Sequence, residues 1–179
     1  MRLFLSFVHH TKKSRFCQTG KREKNNNSIC FAVSFIRGSN TGKKEENQLI
    51  LFICTGNTCR SPLAAALARS RGIDAESAGL TVWPGSPATP EAVRAAARHG
   101  ADLTRHQARA VTEELLIKAD RVWVMTSAHW DALNARFPEL AAKADVLYPE
   151  IPDPFGGDDR IYEACAVRLL DAMKRAGII

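Results

Sequence analysis

The sequence predicts an α/β fold, a three-layer sandwich in which helices cover both faces of a four-stranded parallel sheet. From residue 49 onward, short apolar runs alternate with longer runs of helical composition, and this alternation is typical of βαβ units. Most helical runs begin at Ser, Thr or Pro and are followed by Gly or Pro, which are helix start and stop signals. No internal charge run interrupts the pattern, so we expect one domain there.

The first strand and helix are predicted from adjoining segments. The apolar run at residues 49–53 is the first strand, and the first helix begins at Ser61 and Pro62 and ends at Arg71, before Gly72. Proline fits the first turn of a helix and glycine commonly follows the last. Three further apolar runs predict the remaining strands, at residues 75–79, 120–126 and 145–148.

The later helices are predicted from composition and capping residues. An Ala-rich run is expected to be helical over residues 89–99, a Thr-Glu-Glu start over 112–118, and a segment capped by Ser127 and stopped by Pro138 over 127–136. The last helix is predicted over about 159–175, and helical spacing places these residues on its apolar face: Ile161, Ala164, Cys165, Leu169, Ala172 and Met173.

Charge divides the chain into two parts. Residues 1–48 contain ten Lys or Arg and three acidic residues, whereas residues 49–179 contain fifteen and sixteen. The net charge of +6 therefore belongs to a basic leader, 1–48, which its Asn-, Ser- and Lys-rich composition predicts to be disordered. The nearly neutral domain, 49–179, is not expected to bind nucleic acid.

Cysteine usage and hydropathy indicate the compartment. The five cysteines have no disulfide-framework spacing, which fits a reducing environment. No apolar stretch approaches the length of a membrane-spanning helix. We therefore expect a cytoplasmic protein without membrane attachment, and a monomer.

The run from Cys54 to Pro62, Cys-Thr-Gly-Asn-Thr-Cys-Arg-Ser-Pro, carries the chemistry. It lies between the first strand and the first helix, where backbone N–H groups and the helix dipole favour an anion. Five residues separate Cys54 from Arg60, so the loop can turn both side chains toward one phosphate. The same field favours the Cys54 thiolate, and the Ser61 hydroxyl can donate to its sulfur.

A structural alternative exists for this cysteine, since a free cysteine after a strand is usually a small apolar core residue. A Cys-x5-Arg spacing alone is a weak signal. The combination with Gly56 and Asn57, which tolerate positive φ where a backbone approaches an anion, favours a catalytic site.

At these residues the chain resembles the low-molecular-weight protein tyrosine phosphatase family, from Leu49 to the C-terminus. The resemblance implies a flavodoxin-like phosphatase fold, a Cys54 nucleophile, a phosphate-binding Arg60, and no metal or organic cofactor. Asp153 begins Asp-Pro-Phe-Gly-Gly, which resembles the family's general-acid loop, although alone it would read as a plain turn. The remaining phosphate- or substrate-binding residues implied are Thr55, Gly56, Asn57, Thr58, Cys59, Ser61 and Phe155.

The resemblance also implies a supporting network for the loop. Ser77 matches a position that hydrogen-bonds toward Asn57, and His106 matches another member, with His99 close enough in sequence to leave the assignment open. An exposed or capping role is the alternative for both histidines. Trp83 is expected at the site entrance, and Arg105 and Arg109 on a solvated face; Trp123 and Cys165 are expected in the core.

Two residues favour the protein-arginine phosphatases within this family. Thr58 stands where the tyrosine phosphatases typically have an aliphatic residue, and Phe155 where they often have tyrosine. The Thr58 hydroxyl is better suited to contact the guanidinium of phosphoarginine than the phenyl ring of phosphotyrosine. Asp153 can pair with that guanidinium, and Phe155 can stack on it. The alternative is that Thr58 is a neutral variant in a tyrosine phosphatase, whose substrates would also be phosphorylated proteins.

Two other functions are weighed against phosphatase activity. An arsenate reductase would need further cysteines as a relay, and none lies between Cys59 and Cys165. A non-catalytic phosphate-binding module would not need Cys54, Arg60 and Asp153 together. Cys59 has two open roles, as a partner that forms a disulfide with oxidised Cys54 or as a core residue.

Overall fold

The computed structural model describes residues 48–179. The prediction of a disordered leader falls on residues 1–48 and, apart from Gln48, lies outside the described residues. No helix within 48–179 combines the length and the apolar character needed to cross a membrane.

The four strands form one parallel sheet in the order β2-β1-β3-β4. The strand β1 therefore lies inside the sheet, between β2 and β3. The elements in chain order are β1 (Ile50–Cys54), α1 (Arg60–Arg69), β2 (Ala75–Gly79), α2 (Pro90–Arg98), α3 (Glu113–Lys118), β3 (Arg121–Val124), α4 (Ser127–Arg136), α5 (Pro138–Ala141), β4 (Ala144–Val146) and α6 (Asp159–Arg175).

Two apolar clusters cover the two faces of the sheet, which confirms the three-layer α/β prediction. On one face Phe52 packs with buried residues of α1, α2 and α6. On the other, Leu51 and Ile53 pack with residues of α3, α4 and α5. Because neighbouring residues of a strand point to opposite faces, β1 is buried throughout, as a central parallel strand requires.

The helix boundaries differ from the predictions at two places. Thr126, not Ser127, caps α4, and its hydroxyl accepts a hydrogen bond from the His129 N–H at 3.4 Å. Pro138 does not only follow α4; it begins the short helix α5, which was not predicted. Proline at the first helical position loses no hydrogen bond, so the same residue can end one helix and start another.

The predicted apolar face of α6 is wrong at two positions. Ile161 is exposed, as is Ala164, whereas Tyr162 and Ala166 are buried. The buried residues are Tyr162, Cys165, Ala166, Leu169, Ala172 and Met173, which is a regular 3.6-residue stripe. The prediction selected apolar residues only, so it left out Tyr162, whose side chain carries a polar hydroxyl. That hydroxyl has a partner in the site.

Candidate active site

The loop between β1 and α1 lies at the carboxyl end of β1, where ligands bind in open parallel sheets. Cys54 is the last residue of β1 and Arg60 is the first of α1. Asn57, at the middle of the loop, has a φ of 56°, a left-handed conformation that asparagine tolerates better than most residues. The loop therefore curls between the two side chains, as the spacing predicted.

The Cys54 sulfur is surrounded by hydrogen-bonding groups. Its Sγ lies 3.0 Å from the Ser61 Oγ and 3.3 Å from the Asn57 backbone N–H, which donates to it. The Ser61 hydroxyl also lies 3.1 Å from the Ala78 carbonyl oxygen. Because this hydroxyl has a single hydrogen, it can turn from that carbonyl to a Cys54 thiolate when the thiol loses its proton.

The Asn57 side chain is fully buried and holds the loop to β2 and to the segment after α2. Its Nδ2 donates to the Ser61 and Ser77 hydroxyls at 3.0 and 2.9 Å, and its Oδ1 accepts from the Arg109 backbone N–H at 3.0 Å. A buried amide with satisfied donors and acceptor is a rigid anchor. The structure thus places Ser77 at Asn57, and it adds Arg109 to the network.

His106, not His99, reaches the loop. The His106 Nε2 lies 2.7 Å from the Asn57 carbonyl oxygen, so that nitrogen carries the hydrogen and donates. Burial lowers the pKa of His106, and the nearby Arg69 and Arg109 guanidiniums lower it further, against the opposing hydrogen bond. His99 instead contacts Glu163 of α6 at 2.7 Å.

Arg60 is 4% exposed and is held from two sides. Its Nη1 donates to the Ile151 carbonyl oxygen at 3.2 Å, and its Nη2 donates to the Asp153 carboxylate at 2.8 Å. Its Nε is buried without a hydrogen-bond partner in the part of the chain that the structure describes. An unpaired buried donor is costly, so a bound anion would relieve it.

Asp153 stands opposite the loop, on the segment between β4 and α6. The Asp153 side chain is 52% exposed, and its Oδ1 accepts a hydrogen bond from the Phe155 backbone N–H at 3.2 Å. The ion pair with Arg60 brings residues 93 positions apart in the sequence to one point. The same cluster therefore contains a cation and a carboxylate.

A cleft of about 210 Å³ opens between these two segments. Phe155, which is 76% exposed, lines it together with Thr58. The other lining residues are Cys54, Thr55, Gly56, Cys59, Arg60 and Asp153. The expectation for Trp83 is not met, because this exposed residue does not line the cleft.

The cysteines near the cleft differ in environment. The Cys59 Sγ lies 3.2 Å from the Tyr162 hydroxyl of α6 and 3.7 Å from the Thr89 hydroxyl. Burial and the contact with Cys59 raise the pKa of Tyr162, so it stays a neutral phenol. Cys165 is buried as predicted, and burial raises its pKa to about 12, which makes it a poor nucleophile.

Sequence reasoning missed the contacts that His129, Gly79 and Arg109 make at the site. His129 of α4 is buried, and its Nε2 lies 3.0 Å from the Thr55 Oγ1. Gly79 has no room for a side chain, since a Cβ there would lie 2.6 Å from the Thr55 carbonyl oxygen. Arg109 is exposed, as expected, with 45% of its side chain accessible, and its Nε also donates to the Ser77 carbonyl oxygen at 3.0 Å. No local motif marks these residues, which reach the loop across the sheet.

A buried cysteine at a strand end, an arginine in the following helix turn and an opposing aspartate on a flavodoxin-like sheet define the class of cysteine-dependent phosphatases. The family model described as low molecular weight phosphotyrosine protein phosphatase matches residues 49–176. The chain therefore belongs to this family, and it is a cysteine-dependent protein phosphatase.

Relatives with two specificities are similar to this chain. A protein-arginine-phosphatase from Geobacillus stearothermophilus is 38% identical over 125 residues, covering 64% of this chain and 84% of the relative. A probable low molecular weight protein-tyrosine-phosphatase, EpsP, from Ralstonia solanacearum is 43% identical over 112 residues, covering 59% and 77%. The solved structure of the YwlE arginine phosphatase from G. stearothermophilus matches with a TM-score of 0.68 and 36% identity, covering 72% of this chain and 90% of that one.

Proposed function

We propose that this chain is a protein-arginine phosphatase, which hydrolyses phosphoarginine on proteins through a cysteinyl-phosphate intermediate. The observation that carries the preference is the lining of the cleft, which combines Thr58 of the loop with Phe155 of the segment between β4 and α6. A guanidinium leaving group is polar and planar, and it suits a hydroxyl on one side and an aromatic face on the other. The similarity to arginine phosphatases supports the same preference.

In the first step the Cys54 thiolate attacks phosphorus. The S–P bond forms while the bond from phosphorus to the leaving nitrogen breaks. Arg60 and the N–H groups at the start of α1, which lack partners within the helix, hold the equatorial oxygens as their charge develops. Asp153 supplies a proton to the leaving nitrogen.

The contact between Arg60 and Asp153 has a role in this step. A phosphoryl dianion entering the cleft competes with the Asp153 carboxylate for the Arg60 guanidinium, because a planar guanidinium binds two oxygens of one phosphate. Asp153, on an exposed segment, then takes up a proton from solvent and faces the leaving group as a carboxylic acid. In the second step, as a carboxylate again, it takes a proton from a water molecule that attacks phosphorus; the S–P bond breaks, and phosphate and the Cys54 thiolate are released.

The alternative is a low-molecular-weight protein tyrosine phosphatase, which the similarity to EpsP favours. Both activities use the same Cys54, Arg60 and Asp153, so only the cleft wall separates them. Under either activity, phosphorylated proteins are the proposed substrates.

Substitution of Thr58 tests the preference for phosphoarginine over phosphotyrosine. We expect Thr58→Ile to lower kcat/KM for phosphoarginine peptides by about fivefold and to raise it for phosphotyrosine peptides, because one lost hydrogen bond is worth about 1 kcal/mol. Thr58→Ser is the matched control, since it keeps the hydroxyl and should keep the preference. If both substrates change in parallel in Thr58→Ile, residue 58 does not set the specificity.

A further inference from the structure

A buried histidine connects the catalytic loop to the start of α4. His129 is 8% exposed, and its two ring nitrogens contact two threonine hydroxyls. The Nε2 lies 3.0 Å from the Thr55 Oγ1, and the Nδ1 lies 2.6 Å from the Thr126 Oγ1. The ring thus bridges the cap of one helix and the phosphate-binding loop of another.

Thr55 passes this contact on to Arg60. Thr55 lines the cleft, and the Arg60 Nη2 lies 3.5 Å from the Thr55 Oγ1. The same Nη2 donates to Asp153. A series of contacts therefore runs from His129 through Thr55 to the cation that binds the phosphoryl group.

The protonation of the ring follows from its surroundings. Burial and the Arg60 charge lower the pKa of His129 to about 4, against smaller opposing effects of Asp153 and Glu150. The ring is therefore neutral at neutral pH, with one N–H and one acceptor nitrogen. The Thr126 Oγ1 already accepts from the His129 backbone N–H, so its hydroxyl hydrogen is free to donate to the Nδ1. The Nε2 then carries the hydrogen and donates to the Thr55 Oγ1.

We propose that His129 is a positioning residue for phosphoryl transfer, which as the Nε2–H tautomer directs the Thr55 hydroxyl hydrogen into the cleft. His129 and Arg60 both donate to the Thr55 oxygen, so its hydrogen points away from both and donates to a phosphoryl oxygen. This inference rests on the phosphatase chemistry and not on the preference for phosphoarginine. Its test therefore uses para-nitrophenyl phosphate, and its failure leaves the specificity proposal intact.

A double-mutant cycle between His129 and Thr55 distinguishes positioning from a role in folding alone. We expect His129→Asn and Thr55→Val each to lower kcat/KM about tenfold, and the double variant to lose about tenfold rather than about 100-fold, because residues that act through each other are not additive. An additive loss, or no loss in Thr55→Val, would overturn the proposal.

A conservative replacement of His129 and a matched control at His99 accompany the double-mutant cycle. In His129→Gln the amide nitrogen lies close to the position of the imidazole Nε2, so kcat/KM should stay within about threefold of the parent. His99→Gln replaces a histidine whose side chain, in the described residues, hydrogen-bonds only to Glu163, and it should leave turnover unchanged. A loss in His129→Gln as large as that in His129→Asn would contradict the positioning role.

The tautomer can be measured even where a variant fails to fold. Nitrogen-15 shifts of the His129 ring in the parent protein distinguish a hydrogen on Nε2 from one on Nδ1. Protonated Nε2 is the expected result at pH 7. A ring protonated at Nδ1 would remove the donor to Thr55 and with it the proposal.

Discussion

At the scale of single residues, the site contains hydrogen-bond donors that can change from one acceptor to another. Ser61 can donate either to the Cys54 sulfur or to the Ala78 carbonyl oxygen, and in the proposed mechanism the Arg60 Nη2 exchanges the Asp153 carboxylate for a phosphoryl group. Each of these two donors therefore has a partner both before and after substrate enters the cleft. Because these donors are already close to their second partners, little of the site has to reorganise during catalysis. Electrostatic stabilisation of the transition state is most effective in such preorganised sites.

Substitution of the nucleophile and of its cation tests the roles of Cys54 and Arg60. Cys54→Ser should abolish turnover while phosphate binding persists, because a serine hydroxyl does not ionise in this site. Arg60→Lys should lower kcat about 100-fold or more, since an ammonium cannot bind two oxygens in a plane. Turnover and calorimetric phosphate binding are measured in parallel, and Cys54→Ser activity within about tenfold of the parent would exclude Cys54 as the nucleophile.

His129 also predicts how stability depends on pH. Its pKa is about 4 in the folded chain and near 6.5 when unfolded, so the unfolded state binds a proton first as the pH falls. The free energy of unfolding should therefore be unaffected above pH 6.5 and fall by about 1 to 3 kcal/mol as the pH falls toward 4. Urea unfolding at pH 7 and pH 4.5 should show this added loss in the parent and not in His129→Gln. Equal losses in both proteins would mean that His129 is already protonated when folded.

At the scale of elements, the catalytic loop is hydrogen-bonded to the segment just after β2. The backbone N–H groups of Leu80 and Thr81, just after β2, donate to the carbonyl oxygens of Cys54 and Thr55 at 3.0 and 2.9 Å. Gly79 permits this approach, because any side chain there would collide with the loop. The shape of the loop is thus set partly by the strand beside it.

Gly79→Ala tests that contact. The added Cβ would lie 2.6 Å from the Thr55 carbonyl oxygen and 3.0 Å from the Asn57 backbone nitrogen, so we expect a loss of about 1 to 3 kcal/mol in stability and a lower kcat. Gly72→Ala is the control, since its φ of 80° strains an alanine but no atom lies within 4 Å. It should lose stability and keep turnover. Unchanged turnover in Gly79→Ala would show that the loop tolerates a shift of β2.

The sequence predicts those parts of the site that are local in the chain. Residues 54–62 are contiguous, so the Cys54–Arg60 spacing together with Gly56 and Asn57 predicts that the two side chains face one anion. His129 and Arg109 were not found, because their contacts depend on β3 and β2 lying on either side of β1. Tyr162 was missed for a different reason, since a tyrosine hydroxyl gives no periodic signal until its partner, Cys59, is known.

At the scale of the whole molecule, the sheet order brings the parts of the site together. With β1 in the interior of the sheet, the loop after it receives contacts from the segments that follow β2, β3 and β4. The family match over residues 49–176 covers this whole arrangement. The general chemistry is therefore a property of the family, whereas we propose that the choice of substrate depends on Thr58 and Phe155.

The measurement that tests the central claim most directly is a comparison of two substrates by one protein. Phosphoarginine and phosphotyrosine are placed at the same position of the same peptide, and kcat/KM is measured for each with the parent chain. Thr58 in the lining of the cleft and the exposed ring of Phe155 predict that phosphoarginine is hydrolysed at least about tenfold more efficiently. Equal values, or a higher value for phosphotyrosine, would contradict the assignment as an arginine phosphatase.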